Sequence, residues 1–362
     1  MFERRLYHHL DWLLLGATIV LCFIGIAMIY STTGSTNPRL AMTQVYAMLI
    51  GIAAFMVCLT IDYRALTDKS HFVYLVVLGL LIYVLVFGTT AGGARRWISL
   101  GAFNLQPSEF AKVGVALVLA KFFGENRRGN PTTGDLFIGG ILAAVPLVLI
   151  AKEPDLGTAV TILPIFLGIA YVAGMRMRIL GMFLGVAIVA APIAWNFALK
   201  DYQKSRISTF LDPSQDAKGA GYQQIQARIT VGSGGLKGKG FMNGTQGTYK
   251  FLPVADNDFI FSVLAEEHGF IGVLVALGLY LFVILRAIEA ARLAKDRIGA
   301  YLVGGIISGF AFQVIYNVTM SAGLAPVKGL TLPLMSYGGS SMIASLAAFG
   351  LILNVRMRRF TN

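Results

Sequence analysis

Charge is what this chain has least of. Of its 362 residues only 13% are Asp, Glu, Lys or Arg, about half the share a soluble domain uses to cover its surface. With 56% hydrophobic residues and a mean hydropathy of +0.70, the chain reads as a polytopic membrane protein. Cysteine is nearly absent. Cys22 and Cys58 both sit inside apolar runs, which excludes a disulfide framework and leaves packing as their role. Acidic residues are outnumbered 18 to 30, for a net charge of +12. The basic residues stand in short clusters between apolar runs, so the excess sets membrane topology and favours anionic lipid instead of nucleic acid. No small-x-small cleavage site follows the first apolar run near Tyr30, so that run is expected to remain as an anchor.

What the sequence has is apolar runs. They occupy 11 to 31, 40 to 60, 72 to 88, 108 to 123, 135 to 151, 157 to 173, 179 to 199, 259 to 286, 298 to 320 and 332 to 355. Most are near the ~20 residues a bilayer requires. The expectation is an all-α integral membrane protein, a single polytopic domain over 1 to 362 with ten transmembrane helices and a large extracytoplasmic loop between the seventh and eighth. An even number puts both termini on one side. That side carries Arg4, Arg5, Arg64, Lys69, Lys121, Arg127, Arg128, Arg176, Arg178, Arg286, Arg292, Lys295, Arg297, Arg356, Arg358 and Arg359. The short loops opposite hold Arg39, Arg95, Arg96, Lys152 and Lys328. The positive-inside bias therefore places both termini in the cytoplasm and the segment 200 to 257 outside.

Several outer stretches carry candidate chemistry. In the long loop, Asp212-Pro213 reads as a turn, and Tyr222, Ile225 and Ile229 fall on one face of a short interfacial amphipathic helix. Gly232 to Gly240 is rich in glycine but fails as a phosphate loop, because Ser233 stands where the first glycine belongs and Gly240 where a hydroxyl should hold magnesium. It remains either a nest that offers N–H groups, Lys237 and Lys239 to a phosphorylated ligand, or a flexible linker. Upstream, Gly92-Gly-Ala-Arg-Arg-Trp97 leads to Gln106-Pro-Ser-Glu-Phe-Ala-Lys112, where Pro107 and Ser108 start a helix. Glu109 and Lys112 share a face there. They form an ion pair that enters the membrane cheaply, or Lys112, Arg95 and Arg96 hold an anion beside an interfacial Trp97. In Lys152-Glu-Pro-Asp-Leu-Gly157, Asp155 either caps the next helix or joins Glu153 in chemistry or metal binding. Near the C-terminus, Pro326 and Pro333 break helix, Lys328 supplies a charge, and the small residues from Ser336 to Ser341 suit close backbone packing.

The stretch from Gln246 to Phe270 concentrates the most. Asp258 is the last charged residue before an apolar run, so it lies at the rim of a membrane-facing site or caps the helix that follows. Glu266 and Glu267 come two turns later and need a partner or a cavity, with His268 one candidate.

Taken together, RRWISLG, QPSEFAK, EPDLGTA, GYQQIQARITVGSGGLKGKG, FLPVADNDFIF, AEEHGF and PLMSYGGSS resemble the SEDS family of shape, elongation, division and sporulation proteins over nearly the whole chain. QGTYKFLP is closer to the elongation branch than to the division branch. The resemblance implies a ten-helix bacterial inner-membrane glycosyltransferase. Such an enzyme polymerises lipid II into peptidoglycan beside a class B penicillin-binding protein and other elongation-complex membrane proteins. It makes Asp258 the essential aspartate and matches Asp155, Trp97 and the Glu109/Lys112 pair to other family positions. One departure stands out: the family pattern has Glu after the proline and His two residues before the aspartate, where this chain has Val254 and Asp256. A second carboxylate there shares the catalytic work or raises the Asp258 pKa.

Inverting transfer between two lipid-linked sugars needs a base for the acceptor hydroxyl and positive charge for the departing polyprenyl pyrophosphate. Asp258 is the expected base. Arg95, Arg96, Lys112, Lys237, Lys239 or a divalent cation, magnesium or manganese, are expected to support the leaving group. A lipid-precursor flippase is the alternative, although the sequence shows no convincing internal repeat.

Overall fold

The computed structural model describes residues 9–34, 37–91, 94–99, 101, 104–126, 129–197, 201–216, 219–249 and 251–360. Of the residues used above, Arg4, Arg5, Gly92, Gly93, Leu100, Arg127, Arg128 and Lys250 lie outside the described residues. The chain begins with α1 (Trp12–Thr33), α2 (Pro38–Thr60), the short α3 (Tyr63–Asp68) and α4 (Ser70–Phe87). A small antiparallel sheet follows, β1 (Thr89–Ala91), β2 (Ala94–Ser99) and β3 (Asn104–Leu105), in the order β1-β2-β3. Next come α5 (Pro107–Gly124), α6 (Thr133–Lys152), α7 (Leu156–Val172) and α8 (Met177–Phe197). The long outer segment holds α9 (Asp201–Leu211), α10 (Ala220–Ser233) and α11 (Thr245–Thr248), and the chain closes with α12 (Ile260–Arg292), α13 (Arg297–Ser321) and α14 (Gly339–Met357).

Helix ends follow local chemistry. Asp11 opens α1 by accepting from the Leu14 N–H at 3.2 Å, Thr132 and Asp135 form a capping box on α6, and Asp296 caps α13. Pro38 and Pro107 occupy first turns, where a missing N–H costs nothing. Among the described residues seven helices, α1, α2, α4, α6, α12, α13 and α14, are long and apolar enough to cross a membrane. α5 carries Glu109, Lys112 and Lys121, and α7 has only 17 residues, so neither is recognised by length and apolarity alone.

The main core cluster runs through most helices and includes Leu21, Leu119, Ile162 and Phe349, and a smaller one gathers Ala227, Leu252, Phe259 and Val327 around the turn before α12. α14 lies along α2, and α13 is wedged between α5, α7 and α12. Gly25 lets α1 meet the segment before α14 directly, since a β-carbon there would come within 2.5 Å of the Met335 backbone. One end of the bundle is tied by ion pairs among the basic residues assigned above to a single side. Arg286 and Arg356 both reach Asp11, at 3.0 and 2.8 Å, Arg64 reaches Asp296 at 2.8 Å, and Arg358 reaches Asp62 at 3.0 Å.

α12 departs from the single span expected over 259 to 286. It breaks at Gly269, where φ is 63° and ψ is −162°, a conformation essentially confined to glycine. The part from 270 to 292 is long enough to cross by itself, so residues 260 to 268 form a separate arm. Glu266 and Glu267 are in that arm instead of two turns down a continuous span.

The glycine-rich run is what holds the arm, which corrects both readings made of it. The Lys239 and Gly240 N–H groups donate to the Glu266 and Glu267 carbonyls, and the Phe270 and Ile271 N–H groups donate back to Gly235 and Leu236. Backbone so engaged is neither a phosphate nest nor a flexible linker. α10 turns Gln224, Ala227 and Thr230 inward while Ile225 and Ile229 stay exposed, so its apolar stripe points away from the protein body.

Candidate active site

A cavity of about 400 Å³ opens where the small sheet, the first turns of α5 and α7, and the segment between α13 and α14 converge. Arg96, Trp97, Glu109 and Asp155 line it, together with Gln106, Asn257, Gln313 and the runs 329–331 and 337–341. Asp155 is its hub. The carboxylate caps α7 by accepting from the Thr158 N–H at 3.1 Å and accepts from Gln106 Nε2 at 2.9 Å. Arg96 Nη1 stands 4.0 Å from it while Nη2 donates to the Pro154 carbonyl at 2.7 Å. Capping and a place in the cavity are thus one geometry, because a helix start aimed at the site carries its cap with it.

Ser340 closes the opposite wall, accepting from the Gln106 N–H at 2.9 Å and donating to the Asn104 carbonyl at 3.1 Å. The Ser336 to Ser341 run, read from sequence as a packing element, therefore also builds the cavity wall. Lys112 pairs with Glu109 at 2.8 Å and donates to Gln313 Oε1 at 3.1 Å. The ion pair is as expected, and Lys112 lines a narrower apolar slot that shares Glu109 and Gln313 with the main cavity.

Asp258 lies immediately behind this lining. It does not cap α12, whose N-cap is Phe259 and which has no side-chain cap bond. A tight turn presents it instead: the Asn257 and Asp258 N–H groups both donate to the Val254 carbonyl, and Val254 holds φ at 53°. A β-branched residue in that region is strained, as at many functional sites. Asn317 of α13 anchors the turn, donating to the Asp258 carbonyl at 2.9 Å and to the Leu330 carbonyl at 2.7 Å. The carboxylate Oδ1 is sealed from solvent without a hydrogen-bond partner. A β-carbon on Gly329 would stand 3.5 Å from Oδ2, so the bare glycine leaves that oxygen open to the cavity side.

Electrostatics sharpen the contrast between the carboxylates. Burial pushes the Asp258 carboxyl up to about 6, opposed by Arg96 and Arg206 and assisted by Asp256 and Asp155. Asp256 is itself raised by burial. Glu153, with both oxygens unpartnered, is pushed up to about 8 by burial and by Asp155, against the pull of Arg96.

Other expected residues fall elsewhere. Lys239 is engaged by Glu266 at 2.6 Å, which makes Lys239, not His268, the partner of that buried carboxylate, and Ser31 donates to Glu267. Lys237 and Arg95 are exposed and line neither pocket. Asp256 and Lys328 flank the cavity without lining it. Among the described residues no three His, Cys, Asp or Glu side chains gather as a metal site. Gln106, Gln313, Asn317 and Arg206 went unrecognised as site residues. Gln313 and Asn317 did leave a signal, two amides at i and i+4 in an otherwise apolar span.

The family described as Cell cycle protein, which groups FtsW, RodA and SpoVE, matches residues 9–360. The chain belongs to this family. This FtsW/RodA/SpoVE chain is 35% identical over 351 residues to the peptidoglycan glycosyltransferase MrdB of Escherichia coli (strain K12), covering 97% of this chain and 94% of that one. It is 30% identical over 424 residues to the peptidoglycan glycosyltransferase RodA of Treponema pallidum (strain Nichols), covering 96% and 98%. Its fold is similar to a chain from a peptidoglycan synthase complex that coordinates polymerization and crosslinking, with a TM-score of 0.86 at 32% identity over 98% of this chain and 99% of the other. The crystal structure of Thermus thermophilus rod shape determining protein RodA gives 0.73 at 29% identity, covering 98% of both.

Proposed function

We propose that this chain is a peptidoglycan glycosyltransferase of cell elongation that polymerises lipid II at the outer face of the bacterial inner membrane, beside a class B penicillin-binding protein. Family membership and full-length relatives named for that activity support the reaction class. Ten crossings, α5, α7 and α8 added to the seven apolar helices, put both termini in the cytoplasm and the segment from α9 to α11 outside.

The observation that carries the mechanism is Asp258, whose Oδ2 faces the cavity-lining Gly329 while the charges of Arg96 and Arg206 act on the carboxyl. A carboxyl titrating near 6 is ionised at neutral pH and is a stronger base than an ordinary aspartate. It takes the proton of the acceptor sugar hydroxyl as that oxygen attacks the donor anomeric carbon. Polyprenyl pyrophosphate leaves from the opposite face, with inversion. Arg96 and Trp97 bind substrate at the rim, and Asp155 orients Arg96. Lys112, in the adjoining slot, and Glu109, shared with the cavity, neutralise one another. Were magnesium or manganese bound with the pyrophosphate, the cavity carboxylate of Asp155 would hold it, and the ion would supply positive charge to the leaving group.

Gel-resolved glycan polymerisation from purified lipid II, with the cognate penicillin-binding protein present, tests this reading. Replacing Asp258 by Asn keeps shape and removes the base, so polymer should fall by about 100-fold or more. Undiminished polymer would remove Asp258 from the mechanism. Lipid II movement across liposomes with no polymer from either form would establish the flippase reading in its place.

A further inference from the structure

Arg206 is near the middle of α9, and no sequence motif pointed to it. Its Nη1 donates to the Val327 carbonyl at 3.3 Å, which docks α9 onto the strap joining α13 to α14. The next strap residue, Lys328, holds Nζ 5.7 Å from the centre of the Tyr316 ring. The residue after that is Gly329, the glycine that faces Asp258 Oδ2. Three consecutive strap positions therefore connect Arg206, Lys328 and Asp258.

Both cations are half-buried, and burial, helped by the nearby Arg206 charge, lowers the Lys328 ammonium. Among the described residues neither has a carboxylate within ion-pair distance. Two like charges held together with no carboxylate at ion-pair distance are costly unless an anion joins them. Arg96 acts on Asp258 from the hairpin strand β2, whereas this pair belongs to α9 and the strap. The reaction proposed above joins two lipid-linked substrates, each carrying a diphosphate, around one base.

We propose that Arg206 and Lys328 form a second phosphate-binding site, separate from Arg96, that holds the diphosphate of one of the two lipid-linked substrates beside Asp258. The assignment to a substrate rests on the glycosyltransferase reading, but the binding site is testable without turnover. Undecaprenyl diphosphate is titrated against the full chain in phosphatidylcholine nanodiscs. Arg206→Gln and Lys328→Gln should each raise the Kd by about 10-fold, the scale of one charge-assisted contact, and Arg206→Lys should recover part of the loss. In the unmutated chain, the same ligand should protect Lys328 from an amine-reactive reagent and leave the exposed Lys237 labelled.

Unchanged Kd in folded variants, or Lys328 labelling indifferent to the ligand, overturns the site. Displacement of the diphosphate by an equal concentration of phosphatidylglycerol overturns it in favour of a membrane headgroup contact. The two proposals fail separately. A parent protein that binds the diphosphate but makes no polymer keeps this site and loses the glycosyltransferase reading.

Discussion

Two aspartates two positions apart, Asp256 and Asp258, sit in different electrostatic surroundings. Asp258 feels Arg96 and Arg206, and Asp256 raises it further by like charge. With Asp258 as the proposed base, which must be ionised, polymerisation should be present above about pH 6 and be lost as pH falls through it. Asp256→Asn removes one raising charge. The acid limb of the pH–rate profile should then move to lower pH, with polymerisation at pH 7 kept within about 3-fold of the parent. A loss as deep as that of Asp258→Asn would instead make Asp256 the proton carrier. At this scale much was legible in advance: a charge at the entry to an apolar run is conspicuous because burying it is expensive. That Asp258 caps no helix was not legible, because only the backbone reveals that the turn on Val254 delays the helix to Ile260.

Elements position the site through close backbone contacts. The arm 260 to 268 is held in place by the glycine-rich run, and both depend on Gly269. A β-carbon on Gly269 would stand 2.3 Å from the Gly238 nitrogen. Gly269→Ala should therefore lower the thermal stability of the detergent-solubilised protein by ~2 kcal/mol or more and open the 232 to 240 run to protease. Gly278→Ala, on the same helix with nothing within 4 Å, should be neutral or slightly stabilising. Glycine spacing alone did not show this. A nest, a linker and a clamp share the same composition, and the helical segment it holds is some 30 residues away in sequence.

For the whole molecule, four of the basic residues assigned to one side by the positive-inside bias, Arg64, Arg286, Arg356 and Arg358, gather in one ion-paired end around Asp11, Asp62 and Asp296. The cavity builds on the other. In intact cells, a membrane-impermeant thiol reagent should label Lys237→Cys and spare Arg292→Cys until the membrane is opened. Equal labelling of both from outside would reverse or break the assigned topology. Seven helices announce themselves by length and apolarity. α5 does not, because the Glu109–Lys112 pair in its first turns and Lys121 in its last dilute its apolar character.

The sequence by itself determined the membrane class, the positions of the apolar runs and the family. Hydropathy and motif order are local properties, and any fold must respect them. Tertiary structure alone decided which of those motifs meet. Asp155 joined to Gln106, Ser340 joined to Asn104, and Arg206 brought to the strap beside Asp258 are contacts between residues dozens to hundreds of positions apart. They are set by how helices pack and where glycine lets backbones touch, and no local pattern encodes them.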